Sequence, residues 1–143
     1  MTIRRAAHGD EAAVVRLVQE MAEEEGWPSP IDEDYVRHFL ASPGSGVLLA
    51  LDGEEAVGLL SYGMTPGLFH AADSGLIELL VVTASRRGEG IGRSLVDAAL
   101  RLFEEAGCAE ASVSTGQENG AARHIYREAG LTEPSLLLEK HFG

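Results

Sequence analysis

The 143-residue chain holds a single cysteine, Cys108, a single lysine, Lys140, and no apolar run of about 18 residues. One cysteine excludes an intrachain disulfide and a cysteine-built zinc site, and at the start of a predicted strand Cys108 reads as a packing residue rather than a nucleophile. Histidines at positions 8, 38, 70, 124 and 141 show no HExxH or comparable spacing, so no metal is expected. The missing apolar run, and the lack of a basic stretch leading into one, argue against a membrane span and a signal peptide; a cytoplasmic protein with no membrane partner is expected. Basic residues are also scarce, 11 against 23 acidic ones for a net charge of −12. Phosphate contacts need a basic surface, so nucleic acid is not an expected partner. The acidic field either draws in a cationic amine or serves solubility alone. What remains is ordinary for a globular chain: 45% hydrophobic residues and only five prolines, at the length of one domain spanning 1–143.

The richest segment is Ile77 to Val96, which runs from an apolar strand through an Arg/Gly loop into a helix. Ile91, Leu95, Ala99, Leu102 and Phe103 recur at helical spacing, so a helix over 90–106 aims its unpaired N–H groups back at the loop. Gly88, Gly90 and Gly92 clear side chains where backbone would approach an anion, and Arg86, Arg87 and Arg93 add mobile positive charge. The other reading is an ordinary strand-to-helix turn. Two phosphate loops fail on spacing. The dinucleotide pattern G-x-G-x-x-G meets Arg93 or Leu95 where its third glycine belongs, and a Walker loop needs Lys-Ser/Thr where Arg93 follows Gly92.

Around this loop the periodicity predicts a strand at Thr2 to Ala6, then a helix with Val14, Leu17, Val18 and Met21 on one face, ending near Gly26. A second short helix covers Asp32 to Ala41. Strands Val47 to Leu51 and Ala56 to Tyr62 flank an Asp52-Gly53 turn, followed by a loop from Gly63 to Gly75. The fourth strand, Leu76 to Val82, is apolar on both faces except at Glu78, as expected of a central strand covered by helices. Ala109 to Thr115 is a fifth strand, Asn119 to Ala129 a helix, and Leu136 to His141 a last strand.

The spacing Arg87-x-x-Gly90-x-Gly92 after an apolar strand resembles the acyl-CoA motif of the GCN5-related N-acetyltransferase (GNAT) superfamily. The block Asn119-x-x-Ala122-x-x-x-Tyr126-x-x-x-Gly130-Leu131 is similar to its other recurring block, with Leu131 where phenylalanine is usual. Asn119, Ala122, Tyr126 and Gly130 share one helix face, so Asn119 can cap the helix that presents Tyr126; a core tyrosine is the alternative. The resemblance covers nearly the whole chain and implies an α/β (α+β) GNAT fold, a mixed central sheet of six to seven strands flanked by about four helices. It also implies acetyl-CoA as cosubstrate, and a homodimer as a frequent assembly.

In such a protein the pantetheine arm lies along the fourth strand against backbone near Leu80 and Val82, with an N–H of Leu80 or Val81 available to the carbonyl oxygen. The pyrophosphate lies over Arg86, Arg87, Gly88, Glu89, Gly90, Ile91, Gly92 and Arg93, with Asn119, Ala122 and Tyr126 completing the seat. Ala84 stands where many members carry proline. Deprotonating an amine of lysine-like pKa at neutral pH costs roughly 4–5 kcal/mol, so a base is useful. Glu78, the one charge in the strand, is similar in place to the proposed base of polyamine acetyltransferases, and burial would make it a better proton acceptor; a structural carboxylate is the alternative. Tyr126 would donate toward the departing thiolate. No nucleophile with a visible base appears, so direct transfer is expected over an acyl-enzyme. The acceptor is expected to be a small amine; a protein N-terminus or lysine, or a non-catalytic acyl-CoA sensor, are the alternatives. Glu23, Glu24, Glu25, Trp27, Tyr35, Tyr62, Phe69 and His70 are the expected pocket wall.

Overall fold

The long apolar runs at Val47 to Leu51 and Ala56 to Tyr62 have no polar face to give to water, so they settle side by side in the middle of a sheet with helices on both sides. In the computed structural model, which describes residues 1–114 and 120–143, the elements are β1 (Thr2–Arg5), α1 (Glu11–Glu25), α2 (Glu33–Ala41), β2 (Ser45–Asp52), β3 (Glu55–Gly67), β4 (Ala72–Val82), a 3-10 turn (Ala84–Arg86), α3 (Ile91–Glu105), β5 (Glu110–Val113) and α4 (Gly120–Glu128). The sheet order is β1-β2-β3-β4-β5; the first four strands are antiparallel and β5 runs parallel to β4.

Each sheet face has its own core. Leu60, Ile77, Leu95, Val96, Phe103 and Tyr126 pack on the α3/α4 side, and Val14, Leu17, Val36, Leu49, Leu59 and Val81 on the α1/α2 side. Burying each such aliphatic side chain contributes roughly 1.5–3 kcal/mol, which is what holds amphipathic α1 and α3 against the strands. Gly75 lies where Phe103 crosses the sheet, and any Cβ there would overlap its ring. α1 ends where Gly26 turns left-handed at φ 73°, and α2 begins where Asp32 accepts from the Tyr35 N–H at 2.8 Å.

Three sequence expectations fail here. The segment Gly63 to Gly75 is not a loop: β3 and β4 stay paired from Gly63↔Leu76 to Gly67↔Ala72. Pro66 is tolerated in that ladder because β2 has already ended at Ser45↔Gly63, leaving this stretch of β3 with an open edge. Leu136 to His141 is not a strand. Three consecutive leucines need cover on both faces, and among the described residues nothing provides it: Leu136, Leu137 and Leu138 are 84%, 62% and 84% exposed. The sheet therefore has five strands among the described residues rather than six to seven, while the helices number four as expected. Asn119 and Thr115 lie outside the described residues.

Candidate active site

The site begins with a break in β4. Its pairing with β3 steps from Ser61↔Leu79 to Tyr62↔Ile77, so Glu78 is an extra residue with no opposite number. The bulge resets the alternation of side chains. Ile77 packs on the α3/α4 side and Leu79 on the α1/α2 side, and Leu80 and Val82 then return to the α3/α4 side. The Leu79 N–H donates not to backbone but to the Ser61 hydroxyl at 3.1 Å.

The same residues lie at the point where β4 loses its other neighbour. β5 pairs with β4 only from Ser74↔Glu110 to Ile77↔Val113, so among the described residues Glu78 to Val82 have an open edge on that side. Successive backbone groups along a strand point to alternate edges. Leu79 and Thr83 point their N–H groups at β3, the latter to the Val57 carbonyl at 2.9 Å, so Leu80 and Val82 turn theirs to the opening. Of Leu80 and Val81, only Leu80 offers its N–H there; Val81 is paired to Leu59 and its side chain is buried. The Val82 carbonyl already accepts from Arg87 Nε at 3.2 Å.

Beyond β4 the chain turns into α3. Gly88 and Gly90 adopt φ of 82° and 83°, and a Cβ at either would meet nothing, so what these positions require is the left-handed conformation rather than space. Gly92 differs: a Cβ there would sit 3.3 Å from Ile125 Cδ1 and 3.7 Å from Leu80 and Val82, at the crossing of α3 with α4 and β4. Ile91 is likewise buried core. Among the described residues no side chain caps α3, and its first ladder bond runs from Ser94 N to the Gly90 carbonyl. The N–H groups of Ile91, Gly92 and Arg93 precede that ladder, beside an exposed loop, which suits an anion.

The loop's arginines, expected as free positive charge, are each paired with carboxylates of this acidic chain. Arg86 binds Asp52 and Glu89, Arg87 binds both oxygens of Glu24, the longer contact at 2.7 Å, and Arg93 binds Asp97. A second α1 carboxylate, Glu20, accepts from the Ala84 N–H at 2.9 Å and the Thr83 hydroxyl at 2.8 Å. Those bonds, the Ala84 amide foremost, hold its pKa below the ordinary carboxylate range. Glu20 thus fixes the turn that joins the opened strand to the cradle. Sequence reading missed it, since 64 residues separate it from Ala84 and no local pattern links them.

On the α1/α2 side Glu78 faces a cleft of about 690 Å³ between β4, α1 and α2. Its carboxylate is exposed, not buried as expected, because the two helices leave the bulge uncovered. Tyr35 alone of the eight expected wall residues lines the cleft. Tyr62 is 1% exposed in the opposite core, Trp27, Phe69 and His70 are exposed elsewhere, and Glu24 belongs to the cradle.

Tyr126 lies on the sheet face opposite the cleft, 6% exposed in the α3/α4 core, and burial raises its pKa. The end of α4 sets its position. Leu131 N bonds the Tyr126 carbonyl at 2.9 Å and Gly130 N bonds the Arg127 carbonyl at 3.0 Å, with Gly130 left-handed at φ 99° and Leu131 packed on the core. Ala122 packs on the same core. Cys108 is partly buried; burial, with the Asp73 charge, raises its pKa, which suits packing rather than nucleophilic work.

Comparison with known proteins bears on the family and the fold. The sequence pattern of the Acetyltransferase (GNAT) family matches residues 14–131. An uncharacterized N-acetyltransferase of Archaeoglobus fulgidus is 31% identical over 139 residues, covering 94% of this chain and 95% of the relative. The aminoalkylphosphonate N-acetyltransferase of Salmonella typhimurium is 30% identical over 138 residues, 96% of this chain and 89% of that one. An acetyltransferase structure from Agrobacterium tumefaciens, 23% identical, superposes with a TM-score of 0.88 over 99% of this chain and all of its own, which speaks to fold. The chain belongs to the GNAT family of acetyltransferases.

Proposed function

We propose that the protein is an acetyl-CoA-dependent N-acetyltransferase in which a small primary amine attacks the acetyl group directly. One observation carries the reading: the open edge of β4, the uncapped start of α3 and the carboxylate on the bulge follow one another within Glu78 to Arg93. The donor set suits acetyl-CoA. The backbone of Leu80 and Val82 would hold the pantetheine arm, and the N–H groups of Ile91, Gly92 and Arg93, with Arg86 and Arg87 alongside, would hold the pyrophosphate. Bound there, acetyl-CoA supplies an acetyl group activated as a thioester. The cleft's size and the small amine in the name of the Salmonella relative both support a small acceptor.

The chain's own residues then divide the proton work. Glu78 attracts the ammonium form of the acceptor and accepts its proton. The Leu80 N–H, facing the opening, steadies the carbonyl oxygen. Tyr126 approaches from the α4 side and donates a hydrogen bond to the departing sulfur. A free phenol and thiol differ by about 1.5 pKa units. Burial of Tyr126 widens that gap, so the hydroxyl gives a hydrogen bond rather than its proton.

Glu78→Gln tests the base. With acetyl-CoA and an amine acceptor, kcat at neutral pH should fall about 10²-fold, and the deficit should shrink as pH approaches the amine's own pKa, where no base is needed. A deficit that is the same at every pH, or none at all, would overturn the assignment. Tight acetyl-CoA binding with no amine turned over would point to a binding module instead.

A further inference from the structure

We propose that the acceptor is a primary amine on an apolar, preferably aromatic, body with no anionic group, and that the cleft beneath Glu78 selects it. The inference rests on the acetyltransferase reading above and departs from the substrate class in the name of the Salmonella relative. Acidic groups stand on two sides of the cleft, at the start of α2 and on β4, with apolar side chains between them. Val18, Ile31 and Leu79 are partly buried and line it, and the ring of Tyr35, 60% exposed, stands at its side. A deeper recess of about 140 Å³ continues beneath the same residues toward Val36 and Phe39. An aliphatic or aromatic body seated there leaves water and meets carbon on several sides.

Charge narrows the class further. Asp32, Asp34 and Glu78 line the cleft, and among the described residues the only basic side chain lining it is His38. Asp32 spends one oxygen on the Tyr35 amide, and Asp34 pairs with Arg37 at 2.8 Å. The Glu78 carboxylate has no hydrogen bond or ion pair among the described residues, so it is the group left to meet an ammonium. A phosphonate or carboxylate on the acceptor would enter this acidic cleft with no arginine or lysine among its described lining residues to receive it, and like charges make such a partner unfavourable. A polyhydroxylated sugar would set part of its hydroxyl groups against Val18, Ile31 and Leu79, where they lose their hydrogen bonds to water, which is also costly. The exposed Tyr35 ring offers a flat apolar surface to an aromatic body and a π face to the ammonium stem.

The test uses the full chain with saturating acetyl-CoA and reads thiol release from 2-phenylethylamine, 2-aminoethylphosphonate, kanamycin and a lysine-containing peptide. Phenylethylamine should lead in kcat/KM by at least about tenfold. Tyr35→Ala should raise its KM by about tenfold while kcat holds, and Tyr35→Phe should restore it. Any of the other three acceptors at equal or greater kcat/KM, turnover of none of the four, or an unchanged KM in Tyr35→Ala would overturn the inference. Thermal stabilisation by acetyl-CoA, measured alongside, separates the failures: stabilisation with the wrong acceptor sinks this inference alone, and no stabilisation sinks the donor reading beneath it.

Discussion

Glu24→Gln should tighten acetyl-CoA binding, although it removes a native ion pair. In the free protein both Glu24 oxygens hold Arg87 Nη2, and the side chains are 51% and 41% exposed for Arg87 and Glu24. A pair this open to water contributes at most about 1 kcal/mol to stability. A pyrophosphate over the cradle has to share Arg87 with that carboxylate or displace it, and the negative charge of Glu24 also repels the incoming anion. Removing the charge while keeping the side chain's shape therefore saves up to about 1 kcal/mol on binding, or up to about fivefold in Kd. The assay is isothermal titration of acetyl-CoA into both proteins at low and high salt, with the advantage of the variant shrinking at high salt as the repulsion is screened. Arg87→Ala in the same titration should weaken binding. Weaker or unchanged affinity in Glu24→Gln would refute the claim that Arg87 serves the anion.

Tyr126→Phe should lower kcat by about 10-fold or more with little change in KM, because the hydroxyl acts only as the thiolate departs. Because burial raises the Tyr126 pKa, the alkaline fall in wild-type kcat should come above the ordinary tyrosine range and vanish in the Phe variant; a fall that persists in the Phe variant would contradict the assignment. Glu20→Gln should cost about 1 kcal/mol of stability in urea unfolding at neutral pH, since amide oxygen replaces a carboxylate that accepts from Ala84 and Thr83. The Glu20 pKa is depressed in the fold, so its contribution is present above the ordinary carboxylate value and is lost as pH falls through the depressed one; the two unfolding curves should converge on acidification.

How much of this was legible in the sequence depends on whether the cause is local. The end of α4 was: Tyr126, Gly130 and Leu131 are set by bonds spanning five residues or fewer, so their spacing carries the geometry. Gly88 and Gly90 stood out in the sequence for a different reason from the one the fold gives: they read as cleared space beside an anion, whereas each needs a left-handed backbone. The bulge was not legible. Nothing in the run from Leu76 to Val82 marks where β3 slips by one residue, and that slip decides that Glu78 faces an open cleft. Nor were Glu20 and Glu24, whose partners lie about 60 residues away, so that an arginine cluster that reads as free charge is already paired. Tyr62 misled by composition: a phenol in a strand suits a pocket wall, but its strand face turns it into the core beside Phe103. Leu136 to His141 misled because a strand needs a neighbour, which no periodicity supplies.

The most direct test of the central claim is the shift in unfolding temperature of the purified chain with acetyl-CoA, measured against NAD and ATP at the same concentrations. At a concentration about 100 times Kd, acetyl-CoA should stabilise the fold by about 2.7 kcal/mol, because only it can fill the opened edge of β4 as well as the start of α3. No shift with acetyl-CoA, or an equal shift with ATP or NAD, would contradict the account.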